Sequence, residues 1–553
     1  MTNVLFTHSY FYKMDAKQWQ NQTPFLPLGT IYAASLLREN NFDISLFDVG
    51  LSDSAQELSP ILKKEKPKFL VIYDDGFNYL TKMCLTNMRE ACFEMIKLGK
   101  EHDCTVIISS SDSTDHAEEY LEKGADFIIY GEGENTLLEL ISFLDKEDLR
   151  HQGIRHKTGF ISEQNIISTT NVISSVPSNS GEKPHEEFKI QNLSKINGII
   201  YNQTQLGDSS TLQDNLKNLQ KSACKIAKTK SRKNLKSLDE LPFPAWDLID
   251  INSYKEIWKN SKQPFALNLA TTRGCPYKCN WCAKPIYGQR YNSHSPKRVV
   301  EMITYLSKNH QVNRFWMCDD IFGLKPNWVQ EFRDLLEKEN LKISYYIQSR
   351  ADLLLKEDTI DALAKSGLEE VWIGAESGSQ KILDAMDKGT TIQQIEEATK
   401  LLQRKNIKVA FFIQYGYLGE TKADITKTIQ LIKRLKPDNI GVSVSYPLPE
   451  TPFYEKVKDQ LKDKQNWKDS DDLALLFKGT FNQDYYRKLQ RYTHKEFRKT
   501  KGLTYLKKGQ LFGNLRAIAL LGYYIPSAFL DKIGLVKMEN LTAMNAMKNC
   551  KEH

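Results

Sequence analysis

The sequence predicts an α/β protein: a flavodoxin-like doubly wound domain, then a partial (β/α)6 barrel, then a helical C-terminal domain. Two series of short apolar runs alternate with amphipathic segments of helical period, one before residue 145 and one between 261 and 455. A polar stretch with few apolar runs separates the two series. These observations divide the chain into residues 1–145, a flexible insertion and linker at 146–260, a core at 261–455 and a helical domain at 456–553.

The first series contains five short runs of apolar residues, which are typical of buried parallel strands. They are Val4–Thr7, Ile44–Phe47, Phe69–Tyr73, Thr105–Ile108 and Phe127–Tyr130, with predicted helices such as Gly29–Arg38 and Tyr79–Leu98 between them. A doubly wound sheet binds ligands at the carboxyl ends of its strands. We therefore expect a ligand site at that edge of the first domain.

The region between the two series is polar. Ser162–Glu186 in particular predicts a flexible insertion. The basic run Lys221–Lys236 predicts a solvated linker, since no aromatic residue interleaves the charges as a nucleic-acid platform would need. No nucleic-acid partner is therefore expected.

The second series contains six candidate βα units, which suit an open, partial barrel. The strands are Ala266–Thr271, Arg314–Met317, Ile343–Ile347, Glu370–Gly374, Val409–Ile413 and Gly441–Ser445, with helices such as Pro296–Leu306, Trp328–Glu337 and Thr391–Arg404. In barrels of this kind the chemistry lies at the carboxyl ends of the strands.

Three cysteines lie in the loop after the first of these strands, with the spacing C-x3-C-x2-C: Cys275, Cys279 and Cys282. Three thiolates can hold a cubane iron–sulfur cluster by three of its irons, which leaves one iron open to a substrate or cofactor. The alternative is a zinc site with His294 as the fourth ligand.

This spacing, followed by a long αβ-alternating stretch, resembles the radical S-adenosylmethionine (SAM) superfamily. The resemblance implies a [4Fe-4S] cluster on the three cysteines, with SAM chelated by the open iron. One electron from the cluster would then cleave SAM to a 5′-deoxyadenosyl radical.

Polar and aromatic residues at the predicted rim are candidate SAM contacts. Trp281 can flank the adenine, Arg350 can capture a carboxylate in bidentate fashion, and Glu376 can take the ribose hydroxyls beside the permissive Gly374. Asp319 and Asp320 follow the second strand, where each can accept from the SAM ammonium or cap the next helix.

The first domain resembles the cobalamin-binding domain that precedes the barrel in one branch of the superfamily. The residues that carry this likeness are Leu28, Gly29, Asp48, Ser109, Gly131, Glu132 and Gly133. The sequence D-x-H-x-x-G, which supplies a histidine to cobalt, is absent. We therefore expect cobalamin to bind without a histidine on its lower face, with His8 an ordinary rim residue.

Two later segments resemble family turns but depart from them. In Gly416–Thr421, Leu418 stands where proline is usual, and in Pro447–Pro452, Glu450 stands where glycine is usual. Because of these substitutions, the sequence alone does not predict the backbone geometry of either turn.

The resemblance implies a cobalamin-dependent radical SAM enzyme, a methyltransferase acting on an unactivated carbon of a small or lipid-like molecule. A radical cyclase or rearrangement enzyme is the alternative. A tRNA methylthiotransferase would need three more cysteines clustered in the first domain. Cys84, Cys92 and Cys104 lie in that domain, but their positions do not predict a cluster. A non-enzymatic cobalamin sensor would not need the open cluster.

The resemblance and the sequence also predict a partner and a location for the protein. The enzyme would need an electron donor such as flavodoxin or ferredoxin. The N-terminus reads as a first strand without a signal peptide, so a cytoplasmic location is expected. Leu511–Val536 is apolar but contains Arg516, Pro526 and Asp531, which predicts a buried helical hairpin; contact with a membrane surface is the alternative.

Overall fold

The computed structural model describes residues 3–77, 81–151, 191–204, 225–282, 286–461, 466–507 and 511–549. The predicted insertion Ser162–Glu186 lies outside these residues. The described chain contains two large sheets, and helices cover both faces of the first. Together they confirm the predicted α/β class and the helical C-terminal region, with five parallel strands in the first sheet and six in the second.

The first sheet has seven strands in the order β2-β1-β3-β4-β5-β6-β7. They span Asn3–Thr7 (β1), Asp43–Leu46 (β2), Phe69–Tyr73 (β3), Thr105–Ser109 (β4), Phe127–Ile129 (β5), Ile199–Asn202 (β6) and Ile226–Lys228 (β7). The first five are parallel and in flavodoxin-like order, as predicted. Strands β6 and β7 extend the sheet in the antiparallel sense.

The side chains of β3 point alternately to the two faces of the sheet, and both faces are covered by helices. Phe69, Val71 and Tyr73 pack in one core with helices α2 and α7, while Leu70 and Ile72 pack in the other with α4. The helices are Ala16–Asn21 (α1), Leu28–Glu39 (α2), Leu58–Glu65 (α3), Thr86–Glu101 (α4), Ser111–Asp115 (α5), Ala117–Glu122 (α6) and Glu134–His151 (α7).

Helix α4 begins later than the predicted start at Tyr79. Cys84 has a left-handed φ of 53° and Leu85 is extended, so the chain turns there and enters the helix at Thr86. Of the predicted helical residues before this turn, Thr81–Met83 form a short 3-10 segment, and Tyr79 and Leu80 lie outside the described residues.

The second sheet has six parallel strands in the order β15-β14-β13-β12-β11-β8, which confirms the partial barrel. The strands are Leu267–Leu269 (β8), Arg314–Met317 (β11), Ser344–Ser349 (β12), Leu368–Glu376 (β13), Lys408–Tyr415 (β14) and Asn439–Val444 (β15), and the ribbon of Thr272–Arg273 (β9) and Asn292–Ser293 (β10) lies beside β8 in the chain. The helices are Ile251–Trp258 (α8), Pro296–His310 (α9), Trp328–Lys338 (α10), Ala351–Leu354 (α11), Thr359–Lys365 (α12), Gln380–Ala385 (α13), Ile392–Arg404 (α14), Lys422–Leu435 (α15) and Pro452–Val457 (α16).

The end of the predicted linker packs between the two sheets. Trp246 and Trp258 are buried, and the indole nitrogen of Trp258 donates to the carbonyl of Pro24 at 2.8 Å. One apolar core continues from the α4 face of the first sheet to the second sheet. The carboxyl edges of both sheets are thereby held at a common boundary.

The C-terminal region forms a hairpin of two helices, Gln483–Lys507 (α17) and Leu511–Asn549 (α18). The prediction that Leu511–Val536 is buried is wrong, since only 11% of the apolar stretch Ala517–Thr542 is buried. This stretch is the one helical segment in the described part of the chain that is long and apolar enough to cross a membrane. Pro526 lies within α18 and does not end it.

Candidate cofactor site between the two sheets

The cysteine loop joins β9 to β10 at the carboxyl end of β8, as the strand pattern predicts. It begins at Gly274, where φ is +78° and an added Cβ would lie 2.4 Å from the carbonyl oxygen of Arg290. Only glycine fits this turn. Cys275, Cys279 and Cys282 follow; each is partly exposed, and none is in a disulfide.

Asn280, between the second and third cysteines, fastens the loop to the barrel. Its side chain donates to the carbonyl of Ala385 (2.8 Å) and to Asp387 (2.7 Å), and it accepts from the hydroxyl of Tyr417 (2.6 Å). Its backbone nitrogen donates to Met386 (3.0 Å). These bonds fix the middle of the cysteine loop against the turn that follows α13.

Two cations lie close to Cys279. The Nη1 atom of Arg350 donates to the Cys279 sulfur at 3.9 Å, and its guanidinium stacks on the Tyr277 ring, 3.7 Å from the centroid. Lys388 donates to Glu376 at 2.8 Å. Burial opposes the charge of Lys388, but the neighbouring Glu376 carboxylate raises its pKa.

Glu376 reaches this position through an irregular strand end. It has a φ of +54°, and the pairing of β13 with β14 shifts register between Gly374 and Glu376. A Cβ on Gly374 would lie 2.5 Å from the Lys388 nitrogen, so glycine leaves room for the ion pair. The predicted residues Arg350, Gly374 and Glu376 are therefore brought together beside Cys279.

The two aspartates after β11 have different environments. Asp319 is buried and accepts from the backbone nitrogens of Thr271 and Thr272, each at 2.7 Å, which ties β11 to the base of the cysteine loop. Burial raises its pKa to about 7. Asp320 is more exposed and forms an ion pair with Lys82 at 2.7 Å. Lys82 comes from the first domain.

Polar atoms without partners line the rim. The indole nitrogen of Trp281 and the hydroxyl of Ser349 are buried and have no hydrogen-bond partner. Trp281 packs on the apolar cluster that contains Tyr417 and Phe453. Buried donors of this kind are normally satisfied, so both atoms suit a polar ligand beside the cysteine loop.

The zinc alternative does not fit this arrangement. His294 is buried, with Nδ1 3.0 Å from Asp239 and Nε2 3.2 Å from the Tyr32 hydroxyl. Across the described ranges, no three His, Cys, Asp or Glu side chains are gathered as ligands for a single metal ion. A cubane takes each thiolate on a different iron, so its ligands need not converge on one point.

A small cleft lies at the carboxyl edge of the first sheet. Its walls include Tyr73, Ser109 and Gly131 from that sheet and Ile286 and Tyr287 from the loop that carries the cysteines. The ligand edge of the first domain and the cysteine loop therefore share one cleft.

Glycines and serines shape the cleft edge. A Cβ on Gly133 would lie 2.8 Å from the Tyr73 hydroxyl and 3.1 Å from the Ser109 hydroxyl. The backbone nitrogen of Gly29 donates to Asp75 at 3.1 Å. The Ser111 hydroxyl is buried without a partner, which suits a polar group entering after β4.

Three residues predicted as cofactor contacts make contacts within the protein. Leu28 is buried in the core, and Glu132 binds Arg273 at 2.6 Å. Asp48 lies 2.8 Å from Nε2 of His8 and accepts from the Tyr254 hydroxyl at 2.6 Å. Burial opposes ionisation of Asp48, but these bonds lower its pKa.

Sequence reasoning missed Lys82, Lys388, Asn280 and Arg273 as site residues. Asn280 and Arg273 lie within or beside the cysteine motif, so their position was a usable signal. Lys82 and Lys388 carry no such signal, because only the tertiary fold brings them to the loop.

Residues 269–432 match the family model of the radical SAM superfamily. This part of the chain is similar to the radical SAM superfamily. The whole fold resembles the cobalamin-dependent SAM radical enzyme OxsB, solved with aqua-cobalamin and SAM bound (TM-score 0.66, 16% identity, 96% of this chain and 72% of that one).

Two relatives in sequence are an uncharacterised methyltransferase of Pyrococcus horikoshii and an anaerobic magnesium-protoporphyrin IX monomethyl ester cyclase of Rubrivivax gelatinosus. Both are 28% identical, over 44% and 43% of this chain. The chain spans about half the length of these relatives, 52% and 42% respectively.

The departures from the superfamily's usual turns are accommodated in different ways. Glu450, where glycine is usual, has a left-handed φ of 60°, the conformation that glycine adopts at little cost. After Leu418, Gly419 takes a φ of +75°. The turn at Glu450 is thus retained at the expense of backbone strain.

The described residues of the first domain contain no second cluster of cysteines. Cys92 lies in the core, Cys104 donates to the carbonyl of Pro67 at 3.3 Å, and Cys84 lies 3.8 Å from Asp115. Burial raises the pKa of all three thiols. These thiols are inert core residues, which disfavours the methylthiotransferase alternative.

Proposed function

We propose that this chain is a cobalamin-dependent radical SAM enzyme that transfers a methyl group to an unactivated carbon of a small or lipid-like molecule. The observation that carries the proposal is the shared cleft, where Ile286 and Tyr287 of the cysteine loop meet the carboxyl edge of the first sheet. A [4Fe-4S] cluster bound to the cysteine loop would supply the electron that cleaves SAM, and cobalamin bound at the cleft would supply the methyl group.

Cys275, Cys279 and Cys282 would hold the cluster, with one iron left for SAM. Arg350 and Lys388 place positive charge beside Cys279 and would stabilise both the anionic cluster and the SAM carboxylate. The donors of Trp281 and Ser349 would bond to the polar edges of SAM.

Cobalamin would lie against the first sheet, where Gly133 and Gly131 keep the edge open and Ser109 and Ser111 offer hydroxyls. His8 is not a suitable cobalt ligand. Its Nε2 is 2.8 Å from Asp48, and its Nδ1 accepts from the backbone nitrogen of Tyr10 at 3.3 Å. Both ring nitrogens of His8 are thus engaged within the protein.

A cyclase or rearrangement enzyme is the second candidate, because a cyclase stands among the relatives in sequence. The two candidates differ in the product. A methyltransferase adds the mass of a methyl group derived from SAM, whereas a cyclase adds none.

An external one-electron donor, such as flavodoxin or ferredoxin, completes the proposal. A cytoplasmic location suits it, since an oxygen-sensitive cluster and reduced thiols persist there.

The test uses the anaerobically reconstituted full chain, reductant, cobalamin and SAM with a deuterated methyl group. Metabolite extract from a strain lacking the protein provides the substrate pool. We expect one or more metabolites to gain a labelled methyl group with the wild-type protein and none with Cys279→Ala. Products that change in structure without label would favour the cyclase.

A further inference from the structure

Helix α18 carries the largest set of exposed apolar side chains in the described chain. Leu515, Ile518, Tyr523, Phe529 and Leu530 are each 61–67% exposed. Ile525, Ile533 and Val536 continue the same surface. We call the exposed apolar side chains between Leu515 and Val536 the α18 apolar face. An apolar surface this continuous is rare on a monomeric soluble protein and marks an interaction site.

The α18 apolar face cannot turn inward, because the opposite side of the helix is already packed. Ala517, Ala528 and Leu535 are buried there. Asp531 binds Lys495 of α17 at 2.6 Å, and Glu539 binds Lys422 at 2.6 Å. The helix is thus held in one orientation, with the apolar face directed outward.

The charge of the hairpin indicates what covers this face. Residues 483–549 contain thirteen Lys or Arg and four Asp or Glu, a net charge of +9 in a chain whose total is +7. Three of the four acids, Glu496, Asp531 and Glu539, are in ion pairs with lysines. Next to the apolar face, Lys532 and Lys537 are exposed.

We propose that the α18 apolar face docks on an anionic lipid surface, with α18 lying in the membrane interface rather than spanning it. Apolar side chains beside lysines are typical of interfacial helices, which bind through apolar burial and attraction to anionic headgroups. A spanning helix needs an apolar surface on all sides, whereas the packed side of α18 carries Asp531 and Glu539.

The packed side of α18 is joined by an ion pair to a helix that begins at the predicted rim. Lys422, the partner of Glu539, begins α15 directly after the rim segment Gly416–Thr421. Docking by this face does not depend on the proposed methyl transfer and is measurable without any cofactor.

The test is flotation of the full chain with vesicles of phosphatidylcholine alone or of an equal mixture with phosphatidylglycerol. We expect binding to the anionic vesicles, weaker binding to the neutral ones, and release at high salt. Phe529→Ser/Leu530→Ser should lose at least tenfold in vesicle binding. Ile226→Ser, which removes an apolar side chain 36% exposed on β7, is the matched control and should bind as wild type.

A charge variant separates the contribution of apolar burial to vesicle binding from that of attraction to anionic headgroups. Lys532→Glu/Lys537→Glu should abolish the preference for anionic vesicles while circular dichroism stays unchanged. The proposal is overturned if the wild type does not bind vesicles or if Ile226→Ser loses as much binding as the α18 variant. It is also overturned if α18 substitutions dissolve a dimer instead, or if bound protein resists extraction with alkaline carbonate, which would indicate a spanning helix.

Discussion

Positive side chains surround the cysteine loop, and one of them comes from the other domain. Lys82 pairs with Asp320 at 2.7 Å, and the charges of Asp320 and Cys282 raise its pKa against the opposing effect of burial. This places a cation from the first domain at the third cysteine. Such a charge should stabilise the reduced, more negative form of a bound cluster.

Lys82→Met should therefore lower the reduction potential of the reconstituted cluster, by roughly tens of millivolts. A redox titration followed by electron paramagnetic resonance measures this shift. Lys82→Arg keeps the charge and should keep the potential. An unchanged potential in Lys82→Met would show that this lysine does not act on the cluster.

Asn280 is the second residue whose role the fold reveals. Asn280→Ala removes its hydrogen bonds to Ala385, Asp387 and Tyr417, although the Tyr417 hydroxyl keeps its bond to the carbonyl of Ala385. We expect a loss of about 2–3 kcal/mol in the stability of the loop, because three hydrogen bonds are lost and each contributes about 1 kcal/mol. Iron content after reconstitution should fall. Tyr417→Phe, which removes fewer bonds, should lose less iron.

Glu420 predicts a dependence of stability on pH. It is fully buried, and burial raises its pKa to about 8, although it accepts from the backbone nitrogen of Gly416 at 2.7 Å. A folded-state pKa above the ordinary value of 4.5 means that the folded chain retains a proton that the unfolded chain loses. The contribution of Glu420 to folding stability is thus fully present below about pH 4.5 and is lost as the pH rises through 8.

Glu420→Gln should remove this part of the pH dependence. Each pKa unit by which the folded value exceeds the unfolded value contributes about 1.4 kcal/mol to the free energy of unfolding. Urea unfolding at pH 6 and pH 8.5 should show a loss of stability in the wild type and a smaller loss in the variant. Equal slopes in both proteins would mean that Glu420 is already ionised when folded.

At this scale the sequence predicts the three cysteines as cluster ligands, but it indicates only part of their surroundings. Spacing alone marks Cys275, Cys279 and Cys282, because a cluster constrains ligand separation along the chain. Lys82 and Lys388 escape notice because long-range folding brings them to the site. Asp319 was predicted as a SAM contact or a helix cap, yet it accepts from the backbone of the preceding loop.

Among the elements, the ribbon β9–β10 ties the cysteine loop to the first domain through Arg273. This side chain is 2% exposed and binds Glu132 at 2.6 Å and Glu134 at 2.7 Å. It is surrounded by the rings of Tyr32 and Tyr287. The residue before Gly274 thus holds both halves of the cleft together.

Arg273→Gln should destabilise the chain by about 3–5 kcal/mol, because two buried carboxylates lose their partner. Urea denaturation measures the change. Arg38→Gln, at an exposed pair with Asp247, is the control and should cost less than about 1 kcal/mol. Similar losses in the two variants would contradict the role of the buried triad.

Elements with buried strands were well predicted, since apolar runs report burial on both faces. The first five strands differ from prediction by at most one residue at each end. The burial of helix α18 was wrongly predicted, because its apolar residues face outward and its Asp531 forms an ion pair with Lys495. Composition cannot tell which side of a helix is packed.

For the whole molecule, the arrangement of two sheets around one cleft unites the residue and element observations. A doubly wound sheet and a partial barrel both place ligands at the carboxyl ends of their strands. Here the two edges meet at the loop of Cys275, Cys279 and Cys282, with Tyr287 in the wall of the cleft. The domain order predicted these edges, but their common boundary depends on long-range contacts such as Arg273 to Glu134.

The central claim is that the cysteine loop holds the cluster with SAM and that the adjoining cleft receives cobalamin. The most direct measurement quantifies bound cobalamin and 5′-deoxyadenosine formation in one anaerobically reconstituted preparation, with reductant and SAM. We expect about one cobalamin per chain and reductant-dependent 5′-deoxyadenosine, with Cys279→Ala retaining cobalamin but forming none of the nucleoside. A reconstituted wild-type protein that binds no cobalamin, or that leaves SAM intact under reduction, would contradict the account.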